Sequence, residues 1–221
     1  MSGTSRGTVI YLHGIADNRA SGAGVVERFA RTGFDVIAYD SRAHGDSGGE
    51  SCTYGYHEKK DLMRVLDTVT ARPIILVGAS LGAAVALQAA AEDDRVAAVV
   101  AAEVFSDLST IVRERAPFFV TGRTIERALA LAERQASFRV SEVSPVAAAA
   151  RITVPVLIIH GAMDRDTSPD HSRRVFEALR GPKRLILVPN ARHNQALGGS
   201  DVWRQIEEWL ASNVAGAARS A

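Results

Sequence analysis

The five residues Gly78-Ala79-Ser80-Leu81-Gly82 put a serine where it can serve as a nucleophile. They follow a short run of branched apolar residues, Ile74–Val77, and precede an alanine-rich stretch, Ala83–Ala91. A buried strand, a tight turn and a helix beginning at the serine push the hydroxyl out of the sheet, beside unpaired helix N–H groups. A serine hydroxyl is a weak nucleophile. The chemistry also requires a base, a group that orients the base, and donors for the oxyanion that forms.

Those partners must come from loops at the carboxyl ends of strands. His193, in Pro189-Asn190-Ala191-Arg192-His193-Asn194, follows the apolar run Leu185–Val188 and is the candidate base. The other five histidines read as structural. His13 and His160 each precede a glycine at a strand end, His44 lies in a glycine-rich loop, His57 on a polar helix face and His171 in a first helical turn. After Val154–Ile159, the segment His160–Pro169 offers two carboxylates, Asp164 and Asp166, and spacing alone does not separate them. After Thr8–Leu12, the turn His13-Gly14-Ile15 can present a backbone N–H to a substrate. The N–H groups of Ile15 and Leu81 are the candidate oxyanion hole. A metal cluster drawn from His13, His160 and Asp164 is disfavoured beside the nucleophile motif, and no metal or cofactor is expected. Cys52, the single cysteine, lies in a polar loop and reads as a free thiol.

The elements that must hold these residues alternate along the chain. Strands are expected at Thr8–Leu12, Phe34–Tyr39, Ile74–Val77, Val96–Ala101, Val154–Ile159 and Leu185–Val188. Helices are expected at Ala23–Thr32, Tyr54–Thr70, Leu81–Glu92, Thr124–Ala136, Pro169–Leu179 and Asp201–Asn213, followed by a small-residue tail. Strands apolar throughout, separated by helices, imply a doubly wound, mostly parallel six-stranded α/β sheet covered on both faces. Residues 103–151 are longer than a crossover needs and read as a small helical cap inserted in a single domain spanning residues 1–221.

Composition narrows the function classes. With 47% hydrophobic and 23% charged residues, the chain of 221 is ordinary globular material. A net charge of +1 supplies no footprint for nucleic acid or an anionic membrane. No apolar run approaches membrane-spanning length, and the start Met1–Gly7 lacks a signal-peptide core, so a cytoplasmic protein is expected.

Together these segments resemble the α/β-hydrolase superfamily. The resemblance rests on Leu12-His13-Gly14, Asp40-Ser41-Arg42-Ala43-His44-Gly45-Asp46-Ser47-Gly48, Gly78–Gly82, His160-Gly161-Ala162-Met163-Asp164 and Ala191-Arg192-His193. It is similar in particular to small bacterial serine hydrolases of the esterase and dienelactone-hydrolase-like kind, which also share Tyr54-Gly55-Tyr56. The resemblance implies Ser80 as nucleophile, His193 as base and Asp164, rather than Asp166, as acid. It implies a structural role for the Asp40–Gly48 loop and its Arg42, and many relatives carry glycine where this chain has Ala43. Members of the superfamily usually have two more strands before the one ending in His13-Gly14; the seven residues Met1–Gly7 are too few to supply them, so a reduced, six-stranded sheet is expected.

Such a site transfers acyl groups to water, and the expected substrate is a small to medium carboxylic ester. Phe105, Phe118, Phe119 and Met163 are candidate pocket-lining residues beneath the cap. The same triad could serve a thioesterase, aminopeptidase, lactone hydrolase or carbon–carbon hydrolase. A binding protein that kept the scaffold is the alternative from another class.

Overall fold

The computed structural model describes residues 5–214; the small-residue tail from residue 215 and the first four residues lie outside that range. Six strands form one sheet: β1 (Thr8–Leu12), β2 (Asp35–Ala38), β3 (Ile74–Ala79), β4 (Val96–Ala102), β5 (Val156–Gly161) and β6 (Lys183–Val188). Their order is β2-β1-β3-β4-β5-β6 and every neighbouring pair is parallel. The sheet is thus wholly parallel, where the sequence indicated mostly parallel. Strand order reverses between β1 and β3, and a doubly wound sheet binds its ligands at the carboxyl ends beside such a reversal.

Alternation along each strand divides the core in two. Ile10, Leu12, Ile74 and Leu76 face α2 (Glu58–Asp67), α3 (Leu81–Ala90) and α7 (Pro169–Ala178). Val9, Tyr11, Ile75 and Val77 face α1 (Ala23–Ala30) and α8 (Ser200–Asn213), whose Trp203, Ile206 and Trp209 are buried. Helix α3 is buried from Leu81 to Ala89 on all sides, which is why its sequence is alanine-rich and not amphipathic. Helix α2 starts later than its apolar spacing suggested. The buried Glu58 carboxylate accepts from Thr53 N–H (2.6 Å), Thr53 Oγ1 (2.7 Å) and Gly55 N–H (2.8 Å), holding Tyr54–His57 as a turn.

Between β4 and β5 the chain makes α4 (Leu108–Arg115), α5 (Gly122–Ala136), a 3-10 turn (Val140–Glu142) and α6 (Pro145–Ala149). Helices α4 and α6 were not anticipated, although each carries its start signal. Asp107 caps the Thr110 N–H at 2.8 Å, and Ser144 caps the Ala147 N–H at 3.2 Å with Pro145 in the first turn. Among the described residues, no helix is long and apolar enough to cross a membrane.

Candidate active site

Ser80 stands between β3 and α3 at φ +50° and ψ −108°. Such a backbone costs a non-glycine residue on the order of 1–3 kcal/mol and persists only where its surroundings enforce it. The Ser80 N–H donates to Ala102 O at 2.8 Å, and Ser80 O accepts the Ala84 N–H at 3.2 Å. A Cβ on Gly78 would lie 2.4 Å from the Gly82 backbone, and one on Gly82 would lie 2.1 Å from Leu12 O. The backbone at the start of α3 therefore rests directly on the end of β1, a contact any side chain would block.

At that end of β1, His13 is wholly buried. Ser41 N–H donates to His13 Nε2 at 2.9 Å, so the ring proton sits on Nδ1, which donates to Gly14 O at 2.7 Å. In a trans peptide the carbonyl and the following N–H point opposite ways, so the ring that grips Gly14 O also sets the direction of Ile15 N–H. A Cβ on Gly14 would lie 3.7 Å from Ser80 Cβ, which brings this turn against the serine. Leu81, the first residue of α3, has an N–H with no intrahelical acceptor.

His193 Nε2 lies 3.2 Å from Ser80 Oγ, and His193 Nδ1 lies 2.7 Å from Asp164 Oδ2. Asp164 Oδ1 accepts the N–H groups of Asp166 and Thr167, each at 2.9 Å, and His160 Nε2 is 3.2 Å from Oδ2. Because the carboxylate only accepts, Nδ1 carries the proton and Nε2 is left to accept from the serine. Burial pushes the Asp164 carboxyl up, but hydrogen bonds from His160, His193 and the Thr167 N–H outweigh it and hold the group well below the usual carboxylate range. For His193, burial pulls the ring down. The bond to Asp164 and the charges of Asp164 and Glu103 overcome that pull against the opposing Arg115, and the ring ends above its ordinary 6.5.

Ser80 and His193 open into a cleft of about 640 Å³ whose other walls are Ile15, Glu114, Arg115, Arg165, Asp166, Ser168 and Asn194. These walls are mostly charged or polar, unlike the apolar lining expected from sequence. Phe105 is buried in the core, edge-on to Tyr54 at 6.4 Å. Phe118 and Phe119 follow α4 in the turn before α5 and stand 101% and 73% exposed, packed on each other. Met163, half-exposed after β5, is also absent from these walls. The wall residues Glu114 and Arg115 lie at the end of α4, a helix with no counterpart among the expected elements, and carry no local signal that separates a cleft wall from a solvated surface. Arg115 is fixed by Asp166 O (2.7 Å) and Thr167 Oγ1 (3.0 Å).

A second serine–histidine pair lies nearby. Ser106 and His171 are both fully buried, Ser106 N–H donates to His171 Nδ1 at 3.1 Å, and His171 Nε2 meets Glu114 Oε2 at 2.7 Å. With Nδ1 accepting a backbone N–H, His171 donates its proton to Glu114, and the pair supports a cleft wall without opening to it. Arg42 forms a two-pronged pair with Asp61 at 2.6 and 2.8 Å, the geometry of a loop anchor. Burial, with the nearby Glu58 charge, pushes the Cys52 thiol up to about 12, which leaves it protonated at neutral pH.

A family profile described as alpha/beta hydrolase fold matches residues 7–146. The chain belongs to the α/β-hydrolase family. A second profile, PhoPQ-activated pathogenicity-related protein, matches residues 126–219. Among curated relatives, this α/β-hydrolase is 31% identical over 199 residues to the Uncharacterized protein YqkD of Bacillus subtilis (strain 168), covering 84% of this chain and 64% of that protein. It is 27% identical to the Uncharacterized protein YfhR of Escherichia coli (strain K12), covering 90% and 67%. The chain thus spans about two thirds of the length of these relatives. Among solved structures, the Pyrococcus furiosus esterase Pf2001 superposes with a TM-score of 0.74 at 24% identity, over 93% of this chain and 82% of that one. The Paleococcus ferrophilus monoacylglycerol lipase gives 0.71 at 24% identity, over 96% of each chain. At these identities the structural likeness establishes the shared fold.

Proposed function

We propose that this α/β-hydrolase is a serine hydrolase cleaving carboxylic esters of small to medium acyl or alcohol groups through an acyl-enzyme on Ser80. The observation that carries the reading is the continuous hydrogen-bonded line from Ser80 Oγ through His193 to Asp164, at 3.2 and 2.7 Å. In this reading Ser80 Oγ attacks the ester carbonyl carbon while its proton passes to His193 Nε2. The developing oxyanion takes the N–H groups of Ile15 and Leu81, each donor of this kind contributing about 3 kcal/mol. The tetrahedral intermediate collapses, the C–O bond to the alcohol breaks, and His193 returns the proton to the departing oxygen. Water then attacks the acyl-enzyme by the same sequence and frees the acid.

The helices of residues 103–151 act as a cap, since Glu114 and Arg115 at the end of α4 wall the cleft. Those polar walls favour esters bearing a polar or charged group over bare alkyl chains. The test is turnover of short p-nitrophenyl esters by the wild-type chain and by Ser80→Ala, with fluorophosphonate labelling read by mass. The proposal expects turnover and a single adduct on Ser80, both lost in Ser80→Ala. Full activity in Ser80→Ala would overturn the assignment. Turnover of thioesters, lactones or aminoacyl amides in place of esters would move the same machinery to another substrate class. Binding without turnover would make the chain a scaffold.

A further inference from the structure

His193 faces a distance problem. It follows β6, whereas Ser80 follows β3, and β5 and β4 lie between them. At the usual strand spacing the loop after β6 must travel roughly 14 Å across two strand ends to bring the ring to the serine. Asp164, after β5, grips the ring itself. The loop backbone is gripped from β4.

Glu103 immediately follows β4, is 2% exposed and stands at φ +55°. Its N–H donates to Ile159 O at 2.8 Å, which ties it to the neighbouring strand β5. Its carboxylate takes three successive amides just beyond the histidine. Oε2 accepts Asn194 N–H at 2.6 Å, and Oε1 accepts Gln195 N–H at 3.2 Å and Ala196 N–H at 3.0 Å. Asn194 itself is at φ +63°, so the residue next to His193 is held in a left-handed turn. A carboxylate buried as Glu103 is requires donors, and these three backbone N–H groups supply them in charge-assisted bonds. A clamp that only closed the loop could sit anywhere along it; this one begins at the residue adjoining the histidine.

We propose that Glu103 is the positioning residue for His193, fixing the loop that carries the ring over Ser80 and placing a second carboxylate beside the imidazole. The catalytic meaning of this assignment rests on the serine-hydrolase reading; the mechanical and electrostatic part does not. Charged groups around the ring come from several elements. Asp164 and Glu103 are the carboxylates that hold the proton on the ring, and Arg115 opposes them. Glu114, Arg165 and Asp166 share the cleft. Among these, Glu103 alone holds the backbone that bears the ring, so its removal alters both placement and field.

The experiment compares the wild-type chain of 221 residues with Glu103→Gln, an isosteric change that removes the charge and sets an NH2 against a backbone N–H. Ring nitrogens of His193 are titrated by NMR, kcat and KM are measured on a short p-nitrophenyl ester, and folding is checked by circular dichroism. The expected result is a His193 titration moved to lower pH, with kcat reduced about ten- to a hundredfold and KM within about twofold. An unmoved titration together with wild-type kcat overturns the proposal. Should Glu103→Gln not fold, Glu103→Asp carries the test, since it keeps the charge and shortens the reach. A fall in kcat with the ring titration near that of wild type then supports the clamp, and wild-type kcat overturns it. If the wild type neither turns over esters nor reacts with a fluorophosphonate, the hydrolase reading fails, and the His193 titration still decides the role of Glu103.

Discussion

Asp166 serves Asp164 through its backbone: the Asp166 N–H donates to Asp164 Oδ1 at 2.9 Å, while the other Asp164 oxygen meets His193. Two carboxylates that look equivalent in sequence therefore hold different positions, one under the imidazole and one in the wall of the cleft. We predict that Asp164→Asn lowers kcat on a short ester by about four orders of magnitude, because the amide selects the wrong tautomer of His193. Asp166→Asn keeps its N–H and leaves kcat close to wild type. Steady-state kinetics on the two variants checks this, and the reverse ranking would sink the assignment of Asp164.

The acid limb of activity follows the base. The His193 ring lies above its ordinary 6.5, so kcat/KM should rise with pH through an inflection above that value. Arg115 opposes the protonated ring, so Arg115→Gln should move the inflection to higher pH, opposite to the effect expected of Glu103→Gln. The stability linkage has a definite sign for each member. His193, raised in the fold, contributes stability that is complete below 6.5 and lost as pH rises through its folded value. Asp164, lowered in the fold, contributes stability above its ordinary 3.8 that is lost as pH falls toward its folded value. A pH series of kcat/KM and of thermal midpoints reads both.

His13 is a structural residue of the turn after β1, and its two hydrogen bonds give that turn a direction. His13→Ala leaves the Ser41 N–H and Gly14 O without their partner in a buried setting, a loss of about 2–5 kcal/mol in urea unfolding. It also frees the peptide carrying Ile15 N–H, so kcat should fall by up to about a hundredfold while the protein still folds. Wild-type kcat in folded His13→Ala would detach Ile15 from the oxyanion hole.

Exposed Phe118 and Phe119 make a test of the pocket. The double change Phe118→Ser, Phe119→Ser should leave kcat and KM for short esters near wild type, since neither ring lies in the cleft wall. A large rise in KM would restore them to the substrate site.

Ala43 stands exposed at φ +56°, a conformation glycine takes without strain. Relief of that strain amounts to about 1–2 kcal/mol, against roughly 0.4–1 kcal/mol of added freedom in the unfolded chain. Ala43→Gly should therefore raise stability by a few tenths to about 1 kcal/mol, read from the denaturation midpoint.

The parts of the fold legible in the sequence were those in which one segment carries its own signal. Each buried strand was an apolar run, and Ser80 lay in Gly-x-Ser-x-Gly between an apolar run and a helical stretch, with acid and histidine following in order after later strands. Asp164 and Asp166 could not be separated that way, because the choice depends on which oxygen meets a ring 29 residues later in the chain. Glu103 left no local mark at all. Its role exists only where a loop from β6 passes over β4, and no pattern along one strand encodes that passage. The cleft walls differ from the apolar lining expected for a related reason: apolar residues in a helical excursion can face the core, the cleft or solvent, and Phe105 and Phe118 take the first and the last.

The absent side chain at Gly82 joins the serine turn to the His13-Gly14 turn with no layer of atoms between them. Side chains can slide past one another, whereas touching backbones anchored in adjacent strands cannot. The two turns are therefore one rigid body. Whatever accommodation a varied ligand demands falls to the opposite bank of the cleft, where α4 and the turn after β5 meet through Arg115.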